Sequence, residues 1–365
     1  MSVFTSVRRG FQVAGMLAAL LLTGCGHIDR AALPPDRVAL TLASLPKGAP
    51  RIPPDLAARV QALNPTQVTT RDVQEVLSKL PAPRVVNIHG GIASVIPRMA
   101  SFSQFLIGMG YPASSLTNLS DGTYSFSCYE SADKIAGVIA WHYEQEGLRP
   151  MMVGHSQGGM QVVKILHKLA AEPPAKLAVW NPLTWEEEDR FEIRDPLTGR
   201  SRPVVGLVLP YATSVGAGGL TRLLPNQWDM TFRLRSIPDS VEEFTGFCLK
   251  FDILGGDLMG YGSGNEFESD GTALVRNVWL PTEYDHGRIP DTEHLVRSPE
   301  LVEWIQRYQP SPEPVSTPTV EGSLHGDSEN ILWAAEVWFH IKKHWVLELQ
   351  RVLAAPAPAP QAALP

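Results

Sequence analysis

Met151-Met152-Val153-Gly154-His155-Ser156-Gln157-Gly158-Gly159-Met160 is the stretch on which the reading of the fold turns. A short apolar run enters a turn, and after it Met160, Val163, Leu166 and Leu169 recur at helical spacing through Gln157–Ala170. The turn between them spells Gly-x-Ser-x-Gly at 154–158. Alone the pentapeptide is a weak signal, since glycine and serine are common enough to produce it by chance. Between a strand and a helix it gains a mechanical meaning. The turn is so tight that a Cβ at 154 or 158 would meet neighbouring backbone, and the serine is pushed out at the carboxyl end of the strand. There the first amides of the helix favour developing negative charge. The plainer alternative is a glycine-rich turn holding a structural serine.

Upstream, Arg84–Ile88 is a strand-like run that ends in Asn87-Ile88-His89-Gly90-Gly91. Leu116–Leu119, Pro150–Val153, Lys176–Trp180, Phe247–Leu254 and Leu274–Leu280 read as further strands. Ser131–Glu146 places Ala132, Ile135, Ala136, Ile139 and Tyr143 on one helical face, and Ser298–Tyr308 opens with Ser298 as cap and Pro299 in the first turn. Strands alternating with helices predict an α/β fold, a mainly parallel sheet covered on both faces. From Pro182 to about residue 245 the period breaks among Pro, Gly and charge. That segment reads as an inserted cap or lid, in which Val204–Leu209, Tyr211, Leu220, Leu223, Leu224 and Trp228 offer either an acyl-binding surface or the insertion's own core.

With NIHGG at 87–91, a Gly110-Tyr111-Pro112 turn and GHSQGG at 154–159, the chain resembles the α/β-hydrolase family, and within it the serine lipases and esterases, over about residues 83–308, within a core domain read as 83–310. The resemblance implies nucleophilic acyl transfer, with Ser156 as nucleophile and the backbone amides of Gly91 and Gln157 as the oxyanion hole. It also implies the chain order serine, carboxylate, histidine. Downstream of Ser156 stand His286, His294, His325, His340 and His344, the last two inside a terminal helical pattern. His294 is expected as the base, because it follows the last strand and precedes the Ser298 helix; His286 and His325 are the alternatives. Asp270, in Ser269-Asp270-Gly271-Thr272, is expected as the acid, with Asp257 in Gly255-Gly256-Asp257 as the alternative. Asp252 is read as lying within a strand. The same residues suit an acyltransferase, and a non-catalytic protein retaining the fold is a third possibility. An ester substrate, in particular a lipid or acyl ester, is the expected partner.

Residues 1–24 differ from the rest. Arg8 and Arg9 precede the charge-free VAGMLAALLL at 13–22, too short to span a bilayer that needs roughly 20 apolar residues. That pattern is a secretory signal. Its ending, Leu22-Thr23-Gly24-Cys25, resembles the lipobox of bacterial lipoproteins, which implies lipidation at Cys25 and a membrane-anchored protein of the cell envelope. Gly26 after the cysteine points to the outer membrane. Residues 25–82 read as a tether followed by short helices at Asp55–Leu63 and Thr70–Leu80. Residues 311–365 read as a linker, a long helix over 327–353 and a low-complexity tail.

Composition bounds these readings. The 365 residues are 44% hydrophobic and 19% charged, ample for a core, and the net charge of −7 makes a nucleic-acid surface improbable on electrostatic grounds. Removing residues 1–24 takes away two arginines and no acid, deepening the charge to −9. The remaining cysteines, Cys128 and Cys248, are open to pairing or to life as buried thiols. No HExxH, CxxC, EF-hand loop or GxGxxG appears, so neither metal nor cofactor is expected.

Overall fold

The structure is a computed structural model that describes residues 32–218, 227–228, 230, 232–252, 254–255, 265–313, 315–318 and 328–355. Three short helices come first: α1 (Pro35–Ser44), α2 (Pro54–Ala62) and α3 (Thr70–Glu75). α1 and α2 each begin on proline, whose fixed φ suits the first turn and whose missing N–H is no loss there. α3 carries a capping box between Thr69 and Asp72. The segment expected as a bare tether thus contains a helix, α1, in which Val38 and Leu42 rest partly buried on the core.

The sheet follows. β1 (Val85–His89) and β3 (Met151–His155) are buried along their whole length and run parallel, Val85 opposite Met151 and Ile88 opposite Gly154. Cover on both faces is why each is mostly apolar, with Asn87 and His89 the polar residues of β1 and His155 that of β3. β2 (Phe126–Ser127) closes one edge. β8 (Leu209–Val215), β10 (Val241–Cys248) and β12 (Leu274–Trp279) extend the other, giving the order β12-β10-β8-β3-β1-β2 with every pairing parallel. Alternate side chains feed two cores. Val85, Met151, Val153, Tyr211 and Phe247 pack with α4 (Ile96–Gly108), α7 (Pro299–Arg307) and α8 (Ile331–Ala354). Val86, Ile88, Met152, Leu209 and Phe244 pack with α5 (Ala132–Glu146) and α6 (Gln157–Leu169). The parallel sheet covered on both faces is what the strand–helix alternation predicts, and it fits the α/β-hydrolase-like fold that the resemblance implies.

Several boundaries differ from the sequence reading. Leu116–Leu119 is not a strand; Phe126–Ser127 takes the edge position instead. Lys176–Trp180 stays outside the main sheet; Trp180 pairs in a small hairpin of β4 (Trp180–Asn181) and β5 (Glu186–Glu187), which Val179 extends by backbone hydrogen bonds to Glu188 and Arg190. A second hairpin joins β6 (Glu192–Arg194) and β7 (Ser201–Pro203). The irregular stretch 182–245 contains β8, a central strand between β3 and β10. Thr213 and Ser214 disguised it: both are polar and both are buried. Leu207, Leu209 and Tyr211 are therefore core residues, Trp228 is exposed, and Leu220, Leu223 and Leu224 lie outside the described residues. β9 (Ser236–Ile237) and β11 (Glu268–Ser269) form a short parallel pair.

α8 buries almost its entire circumference, including Trp333, Trp338 and Trp345. Packing on the body accounts for the stripe that the sequence left open to a partner.

Candidate active site

The turn at 154–158 forms as its glycines require. A Cβ on Gly158 would lie 2.1 Å from the carbonyl oxygen of Ile88, and one on Gly154 would lie 2.5 Å from that of Gly158. Ser156 sits at φ 56°, a left-handed conformation that costs a residue with a Cβ energy. Its amide donates to the Val215 carbonyl across the gap to β8 at 2.8 Å, so the sheet itself holds the turn.

Ser156 Oγ lies 2.9 Å from His286 Nε2, and His286 Nδ1 lies 2.6 Å from Asp252 Oδ2. The other carboxylate oxygen, Oδ1, accepts from the amides of Leu254 at 3.0 Å and Gly255 at 2.8 Å. With both carboxylate oxygens occupied, the Nδ1–H tautomer is fixed and Nε2 faces the serine hydroxyl as an acceptor. The side chains of His286 and Asp252 keep only 10% and 5% of their exposure, which strengthens the ionic hydrogen bond between them. All three residues lie past the carboxyl ends of parallel strands: Ser156 after β3, Asp252 after β10 and His286 after β12. Gly216, just beyond β8 at φ 62°, leaves room for the imidazole; a Cβ there would sit 2.9 Å from its Cε1.

The segment carrying His286 is fixed from several sides. His155 Nε2–H donates to the His286 carbonyl at 2.6 Å, and Arg98 from α4 donates to the Gly287 carbonyl at 2.5 Å. Asn330, at the start of α8, donates to the Arg288 carbonyl at 2.9 Å. Burial, with His286 nearby, pushes the His155 imidazole down to about 3, so it stays neutral and keeps the donating tautomer.

Gly91 and Gln157 are brought together beside this chain. A Cβ on Gly91 would lie 2.0 Å from Gln157 Oε1 and 2.7 Å from the Tyr129 hydroxyl, which itself donates to the Gly91 carbonyl at 3.3 Å. Gln157 opens α6, where its amide has no intrahelical acceptor. Its side chain is buried and accepts from the Cys128 thiol at 3.4 Å. Cys128 and Cys248 are both buried free thiols.

The histidine and acid favoured from sequence are placed elsewhere. His294 lies in the 3-10 turn Glu293–Arg297, half-buried, its Nε2 without a hydrogen bond. The loop that reaches Ser156 is therefore the preceding segment, and His294 belongs to the turn that leads into α7. Asp270 is exposed, its amide bonded to the Ile237 carbonyl. It precedes β12, and in a parallel sheet the residue before a strand lies at the amino edge, about a strand length from Ser156. Asp257, His325 and Cys25 lie outside the described residues. Asp252 was hidden by a boundary: β10 ends at Cys248, and the chain then turns through Phe251 at φ 58°.

No protein-family model and no curated protein matches the sequence. Among solved structures, a hyperthermophilic esterase from the archaeon Pyrobaculum calidifontis is similar at 12% identity and a TM-score of 0.26, over 70% of this chain and 96% of that one. Likeness at that level carries no argument about this chain's chemistry.

Proposed function

We propose that this protein is a serine hydrolase that cleaves carboxylic esters through a covalent acyl-enzyme. The observation that carries the reading is the unbroken Asp252–His286–Ser156 hydrogen-bond chain at the carboxyl rim of the sheet. His286 Nε2 takes the Ser156 proton as Oγ attacks the ester carbonyl, and the imidazolium is stabilised by Asp252. The tetrahedral oxyanion accepts hydrogen bonds from the amides of Gly91 and Gln157, donors that cost no reorganisation during the reaction. The imidazolium then protonates the leaving alcohol. Water, deprotonated by the same imidazole, attacks the acyl-enzyme and releases the carboxylic acid, restoring Ser156.

The class of ester follows from the anchor reading. Lipidation at Cys25 would hold the domain at a membrane, where acyl esters of lipids are the abundant substrates, although the acidic body itself does not seek anionic headgroups. A panel of p-nitrophenyl esters from acetate to palmitate tests the proposal. Hydrolysis abolished in Ser156→Ala supports it, release only with an added alcohol would indicate an acyltransferase, and silence across the panel would count against catalysis. Incorporation of labelled palmitate, lost in Cys25→Ser, tests the anchor.

A further inference from the structure

Far from Ser156, near the amino end of β10, three metal-ligating side chains meet between the sheet and α8. Glu243 lies about 16 Å of strand before Cys248 at ~3.3 Å per residue, so the group is well separated from the rim that carries Asp252. His340 and His344 are four residues apart on α8, which sets both imidazoles on one face. One ligand atom from each of Glu243, His340 and His344 lies within 4.8 Å of the others. His344 Nε2 is 2.7 Å from Glu243 Oε2, and His340 Nδ1 is 3.3 Å from Glu243 Oε1.

The details favour a ligand over a closed ion pair. His340 is 2% exposed, and its Nδ1, aimed at the carboxylate, makes no hydrogen bond. Its other nitrogen, Nε2, faces Glu336 Oε1 at 3.4 Å, and Glu336 is itself held by Arg276 and Tyr308. A carboxylate behind the distal nitrogen is the support that orients a metal-bound imidazole. Both rings also lie nearly flat on Tyr211, with interplanar angles of 13° and 14°.

We propose that Glu243, His340 and His344 bind one divalent transition-metal ion of the zinc class, which ties α8 to the sheet. Two imidazoles and a carboxylate are a zinc-type donor set, and tetrahedral donors at about 2.0–2.2 Å from the ion stand roughly 3.3–3.6 Å apart. His340 and Glu243 already have that separation. His344 takes the tautomer with its proton on Nδ1 and gives the Nε2 lone pair to the ion; water takes the fourth position. Lys343 Nζ, 2.6 Å from Glu243 Oε2, competes for the carboxylate. Its side chain is 20% exposed and that of Glu243 14%, so the ammonium can swing into water and open the way in for the ion.

The test uses the full chain without a polyhistidine tag, titrated with Co²⁺ while the visible d–d absorption is followed, and with Zn²⁺ by calorimetry. One ion per chain is expected, with the affinity falling at least 10-fold in Glu243→Gln and in His344→Gln. Lys343→Met, which keeps all three ligands, is expected to tighten binding several-fold. Zn²⁺ should raise the Tm of the wild type and leave its ester hydrolysis rate unchanged. Absence of saturable binding, or binding that is equal in the wild type and both ligand variants, would overturn the proposal. Should a ligand variant fail to fold, Lys343→Met decides, since unchanged or weaker binding there contradicts the site.

Discussion

His155 shows how one side chain outside the Asp252–His286–Ser156 hydrogen-bond chain shapes it. It stands beside Ser156 in the turn, is fully buried, and holds the backbone of His286 rather than its ring. Neutral over the whole working range, it offers the same donor at every pH at which an ester hydrolase is assayed. His155→Ala should lower kcat by about 10-fold or more with little change in KM, because a base shifted by a fraction of an ångström costs transition-state stabilisation rather than substrate binding; initial rates on a p-nitrophenyl ester measure it. Asp252→Asn should cost roughly 10⁴ in kcat, while Asp270→Asn and His294→Ala, both away from Ser156, should stay near wild type. The turn that exposes Ser156 was legible in the sequence because its demands are local. The partners that reach it, His286 and Asp252, were not, because each candidate was assigned by a loop's position along the chain, and which turn of a loop reaches the serine is set by packing. His286 was visible only as an alternative, and Asp252 was mistaken for a strand residue because Phe247–Leu254 reads as one strand-like run though β10 stops at Cys248.

The elements that position the site are held from behind by α8. Glu348, buried near its end, accepts from the Arg149 guanidinium at 2.6 Å and from the Arg149 amide at 2.8 Å, pinning the helix to the chain two residues before β3. Burial alone would oppose ionisation, but Arg351 and Arg149 hold the Glu348 carboxyl below the usual range. Glu348→Ala leaves a mostly buried guanidinium with one carboxylate fewer, and should cost about 3–5 kcal/mol in urea unfolding. Trp338→Ala, which opens a cavity around a fully buried indole, should cost a similar ~3–5 kcal/mol. Helices announced themselves well, since α5, α6, α7 and α8 carry long apolar stripes. Strands did so where several apolar residues mark them, as in β1, β3 and β12. β8 escaped because Thr213 and Ser214 are buried by position rather than by hydrophobicity, and β2 escaped because two residues carry no periodicity.

Across the whole molecule, buried titrating groups make acid the vulnerable side. Burial opposes a charge on Glu146, yet Arg84 and His142 bring its carboxyl down to about 2 from 4.5. That stabilisation is complete above 4.5 and disappears as the pH falls through about 2. Burial, with Arg84, pushes His142 down to about 4 from 6.5, so the unfolded chain takes a proton first and stability is lost between pH 6.5 and 4. The urea midpoint should therefore decline steadily below pH 6.5, and Glu146→Gln should flatten the part below 4.5. At this scale the sequence told of a parallel sheet covered on both faces, but it could not order the strands, since long-range pairing leaves no local mark. That order brings the ends of β3, β10 and β12 to one rim and so creates the chain from Asp252 to Ser156. A fluorophosphonate probe read by mass spectrometry tests that chain most directly. The prediction is one adduct per molecule on Ser156, at a rate cut by about 10³-fold or more in His286→Ala and unchanged in His294→Ala. No adduct on the folded wild type, equal labelling of Ser156→Ala, or a rate that depends on His294 and ignores His286 would contradict it.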